Sequence, residues 1–417
     1  MKDEIKTRLA QIQAGKIPEG YKKGKLGIVP EDWKEIIFSE LFTSTSEYTD
    51  DLEKYPLYSL TIEDGITAKT ERYDRSHLVK KENSYKIVRP NDYAYNPMNI
   101  RFGAVARHKG DTPVAVSGYY DIFTTVHPGD LTFMDNFLTC GAMITYYNRV
   151  STGSLVEKQR VHFSDFLKFS LPLPPLAERE RIANILSAQD KVIECYEKKI
   201  EQLKWMKKYY LQNMFPKRGE TVPKIRFKGF TDPWEQRKLG DVFVEYSEKG
   251  HDELPPLTII QGKGTILREE SERNLIYDKS GLKNYKLVNQ DDFILHLRSF
   301  EGGLEKANSR GIVSPAYHIF HGENADTKFY YPFFRSKYFI SVLLKPHVYG
   351  IRDGKSIDVD GMKTIDIPYP TIEEQNKIGD YFARLDSLIT LHQRKCEEEK
   401  KNKKALQQLL LTGLVRV

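Results

Sequence analysis

Pro172-Leu-Pro-Pro-Leu-Ala-Glu178-Arg-Glu-Arg-Ile182 runs from a proline-rich stretch into a charged helical start, and it recurs 196 residues later as Pro368-Tyr-Pro-Thr-Ile-Glu-Glu374-Gln-Asn-Lys-Ile378. Asp190 falls on Asp386 and Ile193 on Ile389 at the same shift. Upstream, Trp33 with Phe42 matches Trp234 with Phe243 at a shift of 201. Between these anchors, Ser84-Tyr-Lys-Ile-Val88 matches Asn284-Tyr-Lys-Leu-Val288, and Asp92-Tyr93 matches Asp292-Phe293. Val116-Ser117 and Ile122-Phe123 match Val313-Ser314 and Ile319-Phe320. A shift that drifts by a few residues is what surface-loop insertions produce, so the chain is written twice.

Each copy has two parts. The first holds short β-branched or aromatic runs, at 85–88, 104–106, 114–116, 121–126 and 365–367, punctuated by Gly, Pro, Asn and Asp. It predicts a mixed α/β domain with many loops. The second part predicts a long helix. Proline suits the first turn, and Glu178 or Glu373 and Glu374 suit the positive end of the helix dipole. Apolar residues at 182, 185, 192, 196, 203, 206 and 210, with Gln189 in the series, make a coiled-coil stripe that Lys199 interrupts beside Ile200. The second helix carries Ile378, Tyr381, Leu385, Leu388, Leu406 and Leu409, with a wholly polar stretch at 397–404. A helix over 177–213 would be ~55 Å long at 1.5 Å per residue. The expected division is a lead-in at 1–28, globular parts at 29–171 and 231–367, helices at 172–215 and 368–417, and a basic linker at 216–230. Residues 2–13 suggest a short amphipathic helix.

The net charge of +6, from 64 basic and 58 acidic residues, permits a nucleic-acid partner without demanding one. No apolar run approaches the ~18 residues of a membrane helix, and the start lacks a signal-peptide core. Three widely spaced cysteines fit a reduced cytoplasmic protein, and no Cys/His spacing suggests a structural metal.

The search for catalysis yields little. Gly350-Ile-Arg-Asp-Gly354-Lys355-Ser356 has three residues between its glycines where a phosphate loop needs four. Asn96-Pro97-Met98-Asn99 lacks the second proline and the aromatic ring of an amino-methyltransferase tetrapeptide. The histidines are scattered; His296 and His318, beside repeat anchors, are candidate phosphate or base contacts. What remains is a set of basic, polar and aromatic residues in the first part of each copy. They are Lys69, Arg72, Arg75, Lys80, Lys81, Tyr95, Asn96, Asn99, Arg101, Arg107, His108 and Lys109, then Lys263, Arg268, Arg273, Lys283, His296, Arg298, Ser299, Lys306, Arg310, Arg335, Lys337 and Arg352. Arg pairs bidentately with guanine, Asn with adenine, and Lys neutralises phosphate, so both clusters suit a surface that reads duplex DNA.

The order Trp33…Phe42, a variable block, then the proline-rich run into a long helix, all repeated over about 29–417, resembles the specificity subunits of type I restriction-modification systems. Glu374-Gln375 keeps that family's Glu-Gln pair, whereas Glu178-Arg179 departs at the second residue. The resemblance implies an α+β chain with two target-recognition domains, each reading half of a split DNA site, separated by two antiparallel coiled-coil helices about a pseudo-two-fold axis. It implies two methyltransferase subunits using S-adenosylmethionine, and translocase-nuclease subunits using ATP and Mg, as partners. The chain itself would hold no cofactor, metal or active site. The alternatives are a coiled-coil scaffold that binds no DNA and an enzyme whose site carries no familiar motif.

Overall fold

The computed structural model describes residues 3–68, 84–155, 159–217, 219–271, 279–350 and 355–417. The chain divides into two compact units, Met1–Cys195 with Lys395–Val417, and Tyr196–Arg394. Each unit combines one globular part with portions of both long helices.

In the first unit, four strands form an antiparallel sheet: β1 (Phe42–Ser44), β2 (Tyr93–Tyr95), β3 (Val105–Arg107) and β4 (Asp121–Thr125), in the order β3-β2-β4-β1. β2 is buried along its whole length. It is entered through Asn91 at φ 72°, a left-handed conformation that Asn tolerates well. Phe38, Phe42, Phe123 and Phe166 make the aromatic centre of a core that includes Ile182 and Leu186 of one helix and Leu410 of the other. A smaller core of Leu60, Val88, Val114 and Ile122 lies beneath the hairpin Tyr58–Thr61/Gly65–Ala68.

The second unit repeats the plan. β5 (Phe243–Tyr246), β6 (Phe293–Leu295), β7 (Glu305–Lys306) and β8 (His318–Gly322) pair antiparallel in the order β7-β6-β8-β5. Asp291, at φ 71°, takes the place of Asn91. Even the isolated parallel bridges correspond, Leu57 to Ala115 and Pro256 to Ile312. The copies diverge after the sheet. Gly141–Val150 is an α-helix, whereas Phe339–Leu344 winds as a π-helix.

The strand pairings explain why the tryptophan and proline anchors travel together. Lys34–Ile37, just after Trp33, pairs with Ser170–Leu173, and Glu235–Lys238 pairs with Asp366–Tyr369. Each globular part is thereby closed at its own ends immediately before the helix begins.

The helices are α1 (Leu176–Asn213) and α2 (Ile372–Leu410). They pack antiparallel: in the first unit Ile182 and Leu186 share a core with Leu406 and Leu410 while Gln189, further along α1, meets Glu399, and in the second the partner falls from Asp386 to Tyr381 as α1 advances from Lys207 to Tyr210. In the first unit Gln189 donates to Glu399 (2.6 Å) and Lys403 pairs with Asp190 (2.5 Å). In the second, Lys207 pairs with Asp386 (2.6 Å) and the Tyr210 ring meets Tyr381 (5.2 Å between centroids). The two salt bridges are one bridge written twice, since the repeat shift carries Asp190 to Asp386 and Lys207 to Lys403. The same shift relates Gln189 and Glu399 to Leu385 and Leu203, and both leucines are buried in the second core.

The seam of α1 corrects the expected stripe. Leu186, Ile193, Ile200 and Leu203 are buried, while Ile185 and Val192 are exposed. Lys199 therefore interrupts nothing: it lies beside the seam, which steps by sevens through 186, 193 and 200. On α2, Phe382, Leu385 and Cys396 are buried and Leu388 is exposed. Helix continues through the polar stretch 397–404 because Glu399 and Lys403 find partners on α1 within the first unit.

Candidate nucleic-acid interface

The sheets bring some of the sequence candidates to the surface and take others inside. In the first unit Tyr95 is fully buried, with its hydroxyl donating to the Val161 carbonyl, and burial pushes its pKa up. Arg107 donates to both oxygens of Asp135 and to Asn91, while the Tyr93 hydroxyl donates to Asp135 as well. Lys109 is 3.4 Å from the same carboxylate. Arg101 is buried against Gln159, and the buried His108 ring contacts the Thr112 carbonyl (2.8 Å). Asn96 is buried and Asn99 is exposed. Lys69, Arg72, Arg75, Lys80 and Lys81 lie outside the described residues.

In the second unit Lys263, Lys283, Arg298, Arg310 and Lys337 are exposed. Arg268 donates to the Tyr285 hydroxyl (3.0 Å), Lys306 pairs with Asp291, and Arg335 pairs with Glu305. Glu305 is fully buried, and it also accepts from the Gly262 and Gly264 N–H groups and the Tyr331 hydroxyl. Ser299 is fully buried. Arg273 and Arg352 lie outside the described residues, as do 351–354 of the glycine-flanked turn. His318 is held by Glu245 (2.7 Å).

Against the expectation of an open surface, Tyr95, Asn96, Arg101, His108 and Ser299 are buried, and Arg107, Arg268, His296, Lys306 and Arg335 are half-buried. Buried or half-buried polar groups require partners inside the protein, and these side chains have them, which leaves the exposed candidates as the less committed ones. The register puts Lys306, and not Glu305, at the strand position of Arg107, so the two arginine pairs are built from different strand positions. A strand arginine meets a helix aspartate at Arg107 and Asp135, whereas a strand glutamate meets an arginine just past a helix at Glu305 and Arg335.

Both central strands end in the same turn. Asn96 Oδ1 accepts from the N–H groups of Met98 and Asn99. At the matching place His296 Nδ1 accepts from the Arg298 N–H (3.3 Å), and Ser299 Oγ accepts from the His296 N–H (2.9 Å). The tetrapeptide that superficially suggests a methyltransferase is thus a side-chain-capped turn. Among the described residues His296 Nε2 has no hydrogen-bond partner, and burial, reinforced by Arg335 and Arg298, lowers the imidazole pKa from 6.5 to about 4. Between those values the unfolded chain binds a proton that the folded chain refuses, so stability of the second unit falls as pH drops through that window. Thermal melts from pH 7 to 4.5 should show a shallower loss for His296→Gln than for the parent; parallel curves would refute this.

The family-like Glu-Gln pair is a packing device at the helix start. Glu374, 0% exposed, accepts from Arg226 at 2.7 and 2.8 Å and from Trp234 Nε1 at 2.9 Å. Gln375 accepts from the Asp326 N–H and donates to the Pro370 carbonyl. In the first unit Glu178 takes Arg416, and Arg179 donates to Asp130, the repeat equivalent of Asp326. The departure at Arg179 thus preserves the tie and exchanges a main-chain partner for a carboxylate. Gly413, at φ 71°, lets the chain turn against Pro30 and Trp33, where a Cβ would come within 2.5 Å. Arg226→Ala would leave the Glu374 carboxylate buried with only the indole donor. It should cost ~3 kcal/mol in urea unfolding of the second unit. Arg237→Ala, which removes an exposed pair with Glu235 and a guanidinium over the Tyr369 ring, should cost much less. Equal effects would contradict the assignment.

Among the described residues no group of His, Cys, Asp or Glu could hold a metal ion, and no helix is long and apolar enough to cross a membrane. A family model described as the type I restriction modification DNA specificity domain matches residues 30–205 and again 231–400. The chain belongs to that family. It is a DNA specificity subunit, the non-catalytic member of a type I system. It is 25% identical to a putative type I restriction enzyme MjaX specificity subunit of Methanocaldococcus jannaschii, over 96% of this chain and 97% of the relative. The MjaVIII specificity subunit of the same organism is 30% identical over 60% of this chain and 63% of its own length. The fold is similar to that of the S subunit from M. genitalium, with a TM-score of 0.53, 13% identity and coverage of 91% and 96% of the two chains. A chain from a structural study of complex assembly and conformational transition in the type I R-M system gives a TM-score of 0.52 at 13% identity, covering 93% and 99%.

Proposed function

We propose that residues 29–171 and 231–367 each read one half of a split, non-palindromic duplex site, and that the helix pair sets the interval between the halves and docks two methyltransferase subunits. The observation that carries this reading is the repetition of one sheet and one capped turn with different side chains: Asn96-Pro97-Met98-Asn99 in one unit and His296-Leu297-Arg298-Ser299 in the other. Equal scaffolds with unequal surfaces suit two unlike half-sites. The readers proposed are the exposed candidates, namely Asn99, Lys109, Lys263, Lys283, Arg298, Arg310 and Lys337, with the basic residues at 69–81, Arg273 and Arg352. S-adenosylmethionine, and the ATP and Mg of translocase-nuclease subunits, belong to the partners, and the assembly works in the cytoplasm, where its DNA is. A helix of ~55 Å corresponds to on the order of 15 base pairs, so an unread gap lies between the halves. Single-molecule sequencing of DNA from cells carrying the complete system should return a methylated motif of two unlike halves around an unspecified gap. A palindromic motif, or none, would overturn the reading.

A further inference from the structure

We propose that Arg298 reads a guanine in the half-site taken by the second unit; the inference rests on the DNA-specificity reading above. The two capped turns are equivalent in backbone but not in what they present. In the first unit Pro97 is buried and Met98 half-buried, so that turn offers the solvent no cation at its tip. In the second, Leu297 is 67% exposed and Arg298 stands exposed beside it.

Three arginines of the same globular part have side-chain partners: Arg237 with Glu235, Arg268 with Tyr285 and Arg335 with Glu305. Arg298 has no side-chain hydrogen bond or ion pair among the described residues, although its backbone is held on both sides. Its N–H donates to His296 Nδ1, and its carbonyl accepts from the Glu301 N–H (2.9 Å). A fixed backbone carrying an uncommitted guanidinium is pre-organised for a ligand, because the surroundings do not have to be broken before binding.

The neighbours favour a base edge over a phosphate. Phosphate contacts are made by cations in polar surroundings, whereas the major-groove floor offers acceptors next to apolar thymine methyls. Leu297 and Arg298 side by side match that second composition. The planar guanidinium fork presents two N–H groups at the spacing of guanine O6 and N7, a geometry that a flexible lysine ammonium holds less rigidly. Lys355, 5.5 Å from the centroid of the Phe300 ring, adds a further cation near the turn that is suited to the adjoining strand backbone. The other cations close to His296 do not compete for the role, since Arg335 is committed to Glu305.

The test uses the full chain assembled with its methyltransferase subunits and duplexes carrying the mapped site. 7-Deazaguanine, which lacks the N7 acceptor, is placed at each guanine of the second unit's half-site in turn. At one position it should weaken parental binding roughly tenfold and weaken Arg298→Ala no further. Arg298→Lys should keep most of the affinity and lose part of the selectivity at that same base pair. The other half-site should stay unchanged in both variants, which also reports that they are folded. Three results would overturn the proposal: a half-site without any G·C pair, insensitivity to 7-deazaguanine throughout, or an Arg298→Ala loss shared by all sequences with a reduced salt slope, which marks a phosphate contact. A parental complex that prefers no duplex would instead sink the DNA-specificity reading itself, and the two failures are distinct.

Discussion

Replacing residues 29–171 with the corresponding block of another specificity subunit is expected to change one half of the recognised site completely and to leave the other intact. The pairing of Lys34–Ile37 with Ser170–Leu173 closes this block at its own ends, so a graft enters and leaves through one two-stranded ribbon. The condition for success lies in the core. Met134, Phe137 and Leu171 pack in the same cluster as Ile182 and Leu186 of α1 and Leu410 of α2, so the incoming block must offer similar apolar volume there. Changing core volume commonly costs several kcal/mol, enough to unfold the graft. Sequencing the methylated motif of the hybrid system checks the outcome. A motif altered in both halves would show that the units do not read independently.

A paired insertion in the helices should lengthen the unread gap and spare both half-sites. The bridge between Asp190 and Lys403 pins register in one unit, and that between Lys207 and Asp386 pins it in the other. Seven residues added after Cys195 and seven after Arg394 preserve both bridges and the seam, because the apolar pattern repeats by sevens. The added rise is about 10 Å, or roughly three base pairs. The same insertion in one helix alone should fail, since it forces the partners at one end out of register. A motif with its original gap after the paired insertion would show that the helices are not the ruler.

The repeat and the two long helices, with their starts just past a proline, were legible because they rest on local signals: proline before a helix start, a heptad-like stripe and anchors in constant order. The seam was misplaced by one residue. Ile185 and Val192 looked equal to Leu186 and Ile193 until packing chose between them. The candidate interface was far less legible. Arg107 and Arg335 read as free cations in the sequence, but their carboxylates, Asp135 and Glu305, come from elements about 30 residues away. Tyr95 directly precedes the Asn-Pro turn and Arg101 carries a charge, yet both are buried. The parallel roles of Asn96 and His296 could have been found by aligning the copies at Asp92 and Asp292, since a capping side chain in one turn predicts a capping side chain in the other.

Gln189 against Glu399, and the buried Leu203 with Leu385, give the duplicated helices a preference for unlike company. Two copies of α1 alone would set Gln189 opposite Leu203, and two copies of α2 would set Leu385 opposite Glu399, stranding an amide or a carboxylate on aliphatic surface. The Asp–Lys bridges form equally well in either mispairing and so select no partner. If the two halves of this chain were expressed as separate polypeptides, they should seek each other and shun their own kind, which keeps two different readers in one assembly.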